Sequence, residues 1–408
     1  MLNDEPETRS RIDSYQVTRS VSEGESVRWL QSSSAMITVQ ELPDVRHPCE
    51  LRHLWHSLWK RTPRATFRQA PEFIEQQSIS AEQRWRMLLV SAWNRPIGIM
   101  PFIEHTERRS LGAVRILSAS RSAWGHCPGP VGPHTSTTMN AAVRHLIDQD
   151  DSWDALELPE VVAASKVPHR IFNLLNSSGL TAFQQTDRQL NGFELPTTWS
   201  QFWASRDSVS RSRWRELDLL SHGGVIQLVR FRPNGAQSGE TDRDWSFLNM
   251  ATPLVRQQRD ESLIQQADAR LTELQELHAS AVDEGCADIV VLLLDSAPIA
   301  YAYNVHCRSR VETLHMLADP NVSGAADLLI GHMLQDEIAR GDSWHVFLPT
   351  STAGVAADWP MWQGTQLRET LVTHYRRDDT RSRLLRWLDG SQPIRSRYLI
   401  ASTPNTSL

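Results

Sequence analysis

The residues with the clearest chemical potential form a short loop of small side chains. Residues 321–326 read Asn-Val-Ser-Gly-Ala-Ala, small from Ser323 to Ala326. A helix predicted over 326–340 begins with amides that lack intrahelical partners, and these amides and the helix dipole can bind an anion such as a diphosphate. Three contacts of roughly 1.5–3 kcal/mol each would supply much of the ~8 kcal/mol of a micromolar affinity. The alternative is a loop that only turns the chain, with Gly324 supplying a permissive φ.

The strands that position this loop belong to a pattern that occurs twice. Residues 87–104 and 290–305 each read as an apolar run, a polar turn ending in Pro-Ile, and a second apolar run. A third strand-like run, a loop rich in small residues and an amphipathic helix follow each of them. Both copies then reach the phrase Asp-Ser-Trp, at 151–153 and 342–344. A repeated strand–strand–strand–loop–helix–strand unit predicts two related α/β lobes.

The chain divides into four segments. Residues 1–34 are rich in Ser, Glu and Arg and poor in apolar residues, which predicts a disordered tail. We expect an N-terminal lobe over 35–190 and a C-terminal lobe over 191–380. Residues 381–408 are predicted to form a C-terminal tail that begins with one short helix.

Composition excludes several classes of protein. The chain has 408 residues, 40% hydrophobic and 22% charged, which is ordinary for a soluble globular protein. A net charge of −6 argues against a nucleic-acid partner, because phosphate contacts need a basic field. The four cysteines lack the spacing of a metal site or a disulfide framework. No run reaches the ~18 apolar residues of a membrane span, and no signal peptide is evident, so we expect a cytoplasmic protein.

The second lobe resembles the GNAT-type acyltransferases. In that family the loop between the fourth strand and its helix reads Arg/Gln-x-x-Gly-x-Gly/Ala and cradles the pyrophosphate of acyl-CoA. The corresponding stretch here is Asn321–Ala326, with Asn at the first position. The resemblance implies acyl-CoA, such as acetyl-CoA, as co-substrate and no metal. The residues expected to bind it are Leu317, Ala318, Asn321, Val322, Ser323, Gly324, Ala325 and Ala326.

Residues 35–375 are similar to a subgroup of tandem-lobe GNAT proteins often linked with envelope or exopolysaccharide synthesis, and Fem-type aminoacyltransferases share this architecture. The segments that carry the likeness include Gln69–Phe73, Arg95–Gly98 and Pro298–Asn304. The resemblance implies two tandem lobes, each a mixed, mostly antiparallel sheet flanked by helices. It also implies a small-molecule or saccharide acceptor, such as an envelope precursor, bound between the lobes.

GNAT-type transfer is a direct attack of an amine or hydroxyl on the acyl thioester, assisted by a general base. The resemblance places candidate residues on the strands of 299–318. Tyr303 is the candidate that protonates the leaving thiolate, and His315 the candidate that accepts the proton of the nucleophile. Asp319, at the end of the strand, is a third candidate. The alternatives are a core tyrosine, an ordinary strand histidine and a turn aspartate.

One departure from the subgroup bears on activity. Its members commonly carry a Lys three residues before a Trp, just after the final core strand, whereas Ala356 has that spacing to Trp359 here. A non-catalytic GNAT-fold binding or scaffold protein is therefore an alternative, and it predicts bulky side chains that block the channel beside Gly324. Fem-like transfer of an amino acid from charged tRNA is a further alternative, which the acidic composition disfavours.

Overall fold

A computed structural model of the chain describes residues 29–32, 35–42, 49–75, 84–119, 121–122, 125–126, 129–150, 152–163, 170–177, 180–221, 226–240, 242–258, 260–348, 361–362, 364–376 and 380–391. The tail predicted over 1–34 therefore lies outside the described residues up to 28, and the C-terminal tail lies outside them from 392.

The described residues form fifteen strands and eleven α-helices. The strands are β1 Trp29–Ser32, β2 Ala35–Leu42, β3 Arg84–Ala92, β4 Arg95–Arg109, β5 Gly112–Ser118, β6 Arg121–Ser122, β7 Gly125–His126, β8 Ala155–Ala163, β9 Ala182–Glu194, β10 Ile226–Phe231, β11 Ala287–Leu294, β12 Ala297–Cys307, β13 Arg310–Ala318, β14 Trp344–Phe347 and β15 Thr365–Tyr375. The helices are α1 Cys49–Arg61, α2 Pro71–Glu75, α3 Thr135–Gln149, α4 Arg170–Ser177, α5 Trp199–Ala204, α6 Ser208–Ser221, α7 Trp245–Asn249, α8 Ala251–Arg256, α9 Glu261–Asp283, α10 Ala325–Arg340 and α11 Thr380–Ser391.

Thirteen of these strands form one sheet, in the order β1-β2-β3-β4-β5-β8-β15-β9-β14-β13-β12-β11-β10. Its pairs are antiparallel except β5 with β8 and β13 with β14. These two parallel pairs occupy equivalent places in the two copies of the repeat, since α3 connects the first pair and α10 the second. The α/β class with mixed, mostly antiparallel pairing, predicted from the sequence, is confirmed.

The first hairpin of each repeat turns in the same way. Trp93 and Asn94 have φ of 53° and 59°, and Asp295 and Ser296 have φ of 49° and 69°. Two successive residues with positive φ are typical of a type I′ turn, whose twist matches that of the flanking strands. These turns set the register of β3 with β4 and of β11 with β12.

The two halves of the sheet are interleaved. β15 pairs with β8 on one side and with β9 on the other, and β9 also pairs with β14. The lobe boundary predicted at 190–191 falls inside β9. A buried ion pair, Arg68 Nε to Glu312 Oε2 at 3.2 Å, links the segment after α1 to β13.

Helices cover both faces of the C-terminal half of the sheet. On one face, α5, α6 and α10 enclose a core with Ala300, Ala302 and Met316. On the other, α8 and α9 enclose a core with Tyr301 and Tyr303. Successive residues of β12 therefore alternate between the two cores, as the pleat of a strand requires.

Candidate functional site

Strand β13 is paired with β14 over only part of its length. Arg310–Thr313 pairs with Trp344–Phe347, and the Leu348 amide donates to the Thr313 carbonyl at 3.4 Å. The pairing of β12 with β13 shifts register immediately beyond, because Asn304 faces Thr313 while Tyr303 faces His315. Leu314 is thus an extra residue, a β-bulge that bends the strand. Among the described residues, no strand pairs with the β14 side of β13 beyond Thr313, and we call this unpaired edge, residues 314–318, the slot.

The loop at the end of this slot uses some of its amides and leaves others free. Asp319 N donates to the Ile299 carbonyl at 2.8 Å, and Asn321 N to Asp319 Oδ1 at 2.8 Å. Among the described residues, the amides of Ser323, Gly324 and Ala326 have no hydrogen-bond acceptor. Two amides in the loop and one in the first turn of α10 are therefore available to an anion.

Gly324 is the N-cap of α10, with a φ of +83°. A Cβ at this position would lie 2.5 Å from Leu217 Cδ2, so both backbone and space favour glycine. Leu217, on α6, is one bulky side chain beside Gly324 of the kind the scaffold alternative predicts. The outer side of the loop remains accessible, because Asn321 and Ser323 are exposed.

Tyr303 and His315 face each other across β12 and β13, on the side of the sheet covered by α8 and α9. The Tyr303 hydroxyl lies 3.1 Å from Nδ1 of His278, and burial raises the pKa of Tyr303 well above its usual value. Neither ring nitrogen of His315 has a partner among the described residues. Burial, and then the charge of Arg270, lowers the pKa of His315 to about 3, so its ring is neutral near pH 7.

Asp319 lies apart from this pair, at the end of β13. Its Oδ1 accepts from both the main-chain and side-chain nitrogens of Asn321, at 2.8 and 3.0 Å. The carboxylate therefore shapes the loop. The structure brings Tyr303 and His315 together. It places Asp319 at the start of the loop that ends at Gly324, which we call the amide loop.

Residues 228–354 match the family model described as an acetyltransferase (GNAT) domain. This span holds β13, the slot, the amide loop and α10. We call this matched segment the GNAT domain. No curated protein sequence matches the chain.

Solved structures are similar to this chain at low identity. FemX is 10% identical with a TM-score of 0.54, over 86% of this chain and 100% of that one. A tandem GNAT protein from the clavulanic acid biosynthesis pathway is 10% identical with a TM-score of 0.40, over 84% and 99% of the two chains. L-PGS from Bacillus licheniformis is 13% identical with a TM-score of 0.41, over 71% and 84%. The predicted GNAT-type, tandem-lobe fold is confirmed.

The N-terminal repeat differs at this place. β5 pairs with β8 up to Ser118, and the Ala119 amide donates to the Glu157 carbonyl at 3.2 Å. Before α3, Val131 exchanges two 2.8 Å hydrogen bonds with Ile99 of β4. The Gly132 amide donates to Thr62 Oγ1 at 2.7 Å. Val131 thus pairs with β4 where β5 has ended, whereas in the C-terminal copy β13 itself continues along β12 to Ala318.

Two features of the GNAT domain were missed by sequence reasoning. The Tyr301 hydroxyl is fully buried and has no hydrogen-bond partner in the described part of the chain. The alternation Tyr-Ala-Tyr places it on the same face as Tyr303, a signal that was available. Thr313, His345 and Glu337 form a buried chain whose members are too far apart in sequence to show a motif.

Two further observations bound the site. Among the described residues, no group of three or more His, Cys, Asp or Glu side chains is arranged to hold a metal ion. None of the helices described is both long and apolar enough to cross a membrane. Ala356 and Trp359, the departure from the subgroup pattern, lie outside the described residues.

Proposed function

We propose that this protein is an acyltransferase that takes its acyl group from acyl-CoA, with acetyl-CoA as the simplest donor, and passes it to an amine or hydroxyl. One observation carries the proposal: the open edge of β13 beyond Thr313 leads directly to the free amides of Ser323, Gly324 and Ala326. A slot beside a strand accommodates an extended thioester arm, and free amides at a helix N-terminus suit a diphosphate.

The residues fit this co-substrate. The amides of Ser323, Gly324 and Ala326 would hold the diphosphate, with Asn321 and Val322 shaping the loop and Ala325 opening the helix. Leu317 and Ala318 line the strand edge that leads to it. Acyl-CoA supplies an activated acyl thioester, so the chain has to position the reactants and move one proton.

The proton-handling roles follow from the environments of the two facing side chains. The raised pKa of Tyr303 keeps its hydroxyl protonated, and this proton is donated to Nδ1 of His278. Donation to a departing thiolate requires the hydroxyl to turn away from His278. The neutral ring of His315 has a free donor and a free acceptor nitrogen, and Tyr301 adds a free hydroxyl. We assign His315 and Tyr301 to the orientation of the nucleophile, because a ring with a pKa of about 3 is a weak base near pH 7. Asp319 remains the third candidate, through the loop it shapes.

The acceptor we propose is a small molecule or a saccharide, such as an envelope precursor. Its support is the resemblance of segments including Gln69–Phe73 and Pro298–Asn304 to tandem-lobe GNAT proteins of that kind.

Calorimetric titration with CoA and acetyl-CoA tests the proposal. We expect binding with a Kd of roughly micromolar order, and absence of binding up to millimolar concentrations would remove the proposal. Ser323→Asp adds a negative charge to an exposed position beside the free amides, and near a helix N-terminus this charge favours the fold. We expect it to weaken CoA binding by about tenfold or more without loss of thermal stability. Ser323→Ala, which keeps the amide and adds no charge, is the matched control.

A non-catalytic binding role is the second candidate, and the position of Leu217 against Gly324 favours it. Gly324→Arg separates the two. It should abolish CoA binding if the loop holds a diphosphate, and it should leave a scaffold's partner binding intact. Gly341→Arg is its control, because Gly341 has a φ of +80° at the other end of the same helix and a Cβ there meets nothing within 4 Å.

A further inference from the structure

A chain of hydrogen bonds crosses four elements of the GNAT domain beneath α10. Glu337 Oε2 of α10 lies 2.8 Å from His345 Nδ1 of β14. His345 Nε2 lies 2.9 Å from Thr313 Oγ1 of β13, which lies 2.7 Å from Asn304 Oδ1 of β12. Asn304 Nδ2 donates to the sulfur of Met333. All five side chains have 0% exposure.

The direction of these bonds follows from the inventory of donors. The amide of Asn304 gives its N–H to sulfur, so its oxygen faces Thr313 and can only accept. The single hydroxyl proton of Thr313 is therefore donated to Asn304, and the Thr313 oxygen accepts the Nε2–H of His345. A threonine, a histidine and a glutamate at these distances resemble a nucleophile triad, but the hydroxyl proton points away from the histidine. This direction argues against activation of Thr313 as a nucleophile.

The hydrogen bond between His345 Nδ1 and Glu337 Oε2 contains one proton, and the pKa of Glu337 bears on which atom carries it. Burial raises the pKa of Glu337, and the charge of Asp288 raises it further, while His345 and Arg230 act in the opposite sense. A raised pKa favours a proton on the Glu337 carboxyl group, and a carboxyl O–H at this distance donates to Nδ1 of His345. The other oxygen of Glu337 has no hydrogen-bond partner among the described residues.

The location of the chain gives it a role. Thr313 is the last residue of β13 that pairs with β14, and the bulge residue Leu314 comes next. His345 holds the partner strand, and Glu337 belongs to the helix whose first turn borders the amide loop. We infer that Asn304, Thr313, His345 and Glu337 form a positioning network that fixes the end of the β13–β14 pairing at Thr313, and with it the depth of the acyl slot. This inference rests on the proposed function for the slot.

Thr313→Val tests the inference, because valine keeps the shape of the side chain and removes the hydroxyl. Thr370→Val is the matched control: Thr370 is also buried in the same sheet, and its hydroxyl donates to the Glu160 carbonyl at 3.0 Å. Thr313→Ser should restore the wild-type behaviour. Two measurements apply to the full chain: amide hydrogen exchange of residues 344–348, and the affinities for CoA and acetyl-CoA.

We expect Thr313→Val to speed exchange at 344–348 and to weaken acetyl-CoA binding by about tenfold, with a smaller effect on CoA, which lacks the acyl group. The control should change neither. Unchanged exchange in Thr313→Val would show that the network does not hold the strands. Faster exchange with unchanged preference for acetyl-CoA over CoA would show that the strand junction does not set the slot. A wild-type protein that binds neither ligand would instead remove the proposed function, and the inferred role with it.

Discussion

Two tyrosines on one strand make a sharp test of the site. Tyr301 and Tyr303 are both fully buried on the same face of β12, two residues apart. Tyr303 bonds to His278 at 3.1 Å, whereas Tyr301 has no partner among the described residues. Substituting each tyrosine with Phe therefore compares the loss of a hydrogen-bonded hydroxyl with the loss of one that has no partner among the described residues, in nearly the same environment.

We expect the two substitutions to have different effects on the free energy of unfolding. Tyr303→Phe removes a hydrogen bond and leaves Nδ1 of a buried histidine unpaired, which costs about 1–3 kcal/mol. Tyr301→Phe removes a buried hydroxyl that makes no bond, and burial of such a group costs roughly 1–3 kcal/mol in protein mutants. Tyr301→Phe should therefore leave the fold as stable as before, or more stable, and the two variants should differ by about 2 kcal/mol or more.

Urea unfolding followed by circular dichroism measures the difference. Equal slopes with displaced midpoints would show that native stability changed, and not the compactness of the unfolded chain. The reasoning fails if Tyr301→Phe destabilises the protein as much as Tyr303→Phe does, since its hydroxyl would then have a partner within the fold. If Tyr301→Phe is neutral or stabilising and also impairs acyl transfer, its hydroxyl is held free for the substrate, as buried unsatisfied groups at functional sites often are.

Two further predictions concern buried charge. The pKa of His315 is lowered to about 3 from an ordinary 6.5, so below pH 6.5 the unfolded chain binds a proton that the folded chain excludes. Stability should therefore fall as the pH drops from 6.5 toward 3. His315→Leu should flatten the pH dependence of the urea midpoint between pH 7 and 4, and an unchanged profile would contradict the placement of this ring. Arg68 is 2% exposed and pairs with Glu312 and, at 3.9 Å, with Glu369. Arg68→Met leaves two buried carboxylates without that arginine and should lower the free energy of unfolding in urea by about 3–5 kcal/mol. Arg213→Met, at an exposed i,i+3 pair, is the control and should cost less than about 1 kcal/mol.

Periodicity and turn residues predicted the repeat, because strand hairpins and amphipathic helices are encoded within a few residues of each other. The helix predicted over 326–340 is α10, which begins one residue earlier, at Ala325. The interleaving of the sheet was not predictable in this way. β15 pairs with β8, which lies about two hundred residues earlier, and nothing local in either strand specifies that partner.

The candidate site likewise combines local features, which the sequence predicts, with long-range contacts, which it does not. A loop of small residues before a helix is a local signal, and it indicated the free amides of Ser323, Gly324 and Ala326. The role of Asp319 as a turn residue was among the alternatives for the same reason. In contrast, the Tyr303–His278 bond and the network through Thr313 join residues from different elements. Such contacts arise only when the sheet is assembled.

The segment before the N-terminal repeat supports the strand that borders the slot. Glu312 and Thr313 are consecutive on β13, and their side chains are fixed on opposite faces of the sheet. Glu312 is held by Arg68, which precedes α2, and Thr313 by the network beneath α10. Both anchors act immediately before the bulge at Leu314, where the slot opens. Arg68, in the segment 49–75 that precedes the N-terminal repeat, thus braces the strand that borders the slot. A chain lacking residues 49–75 should therefore lose the slot geometry even if the GNAT domain folds, and faster amide exchange at 310–318 would report that loss.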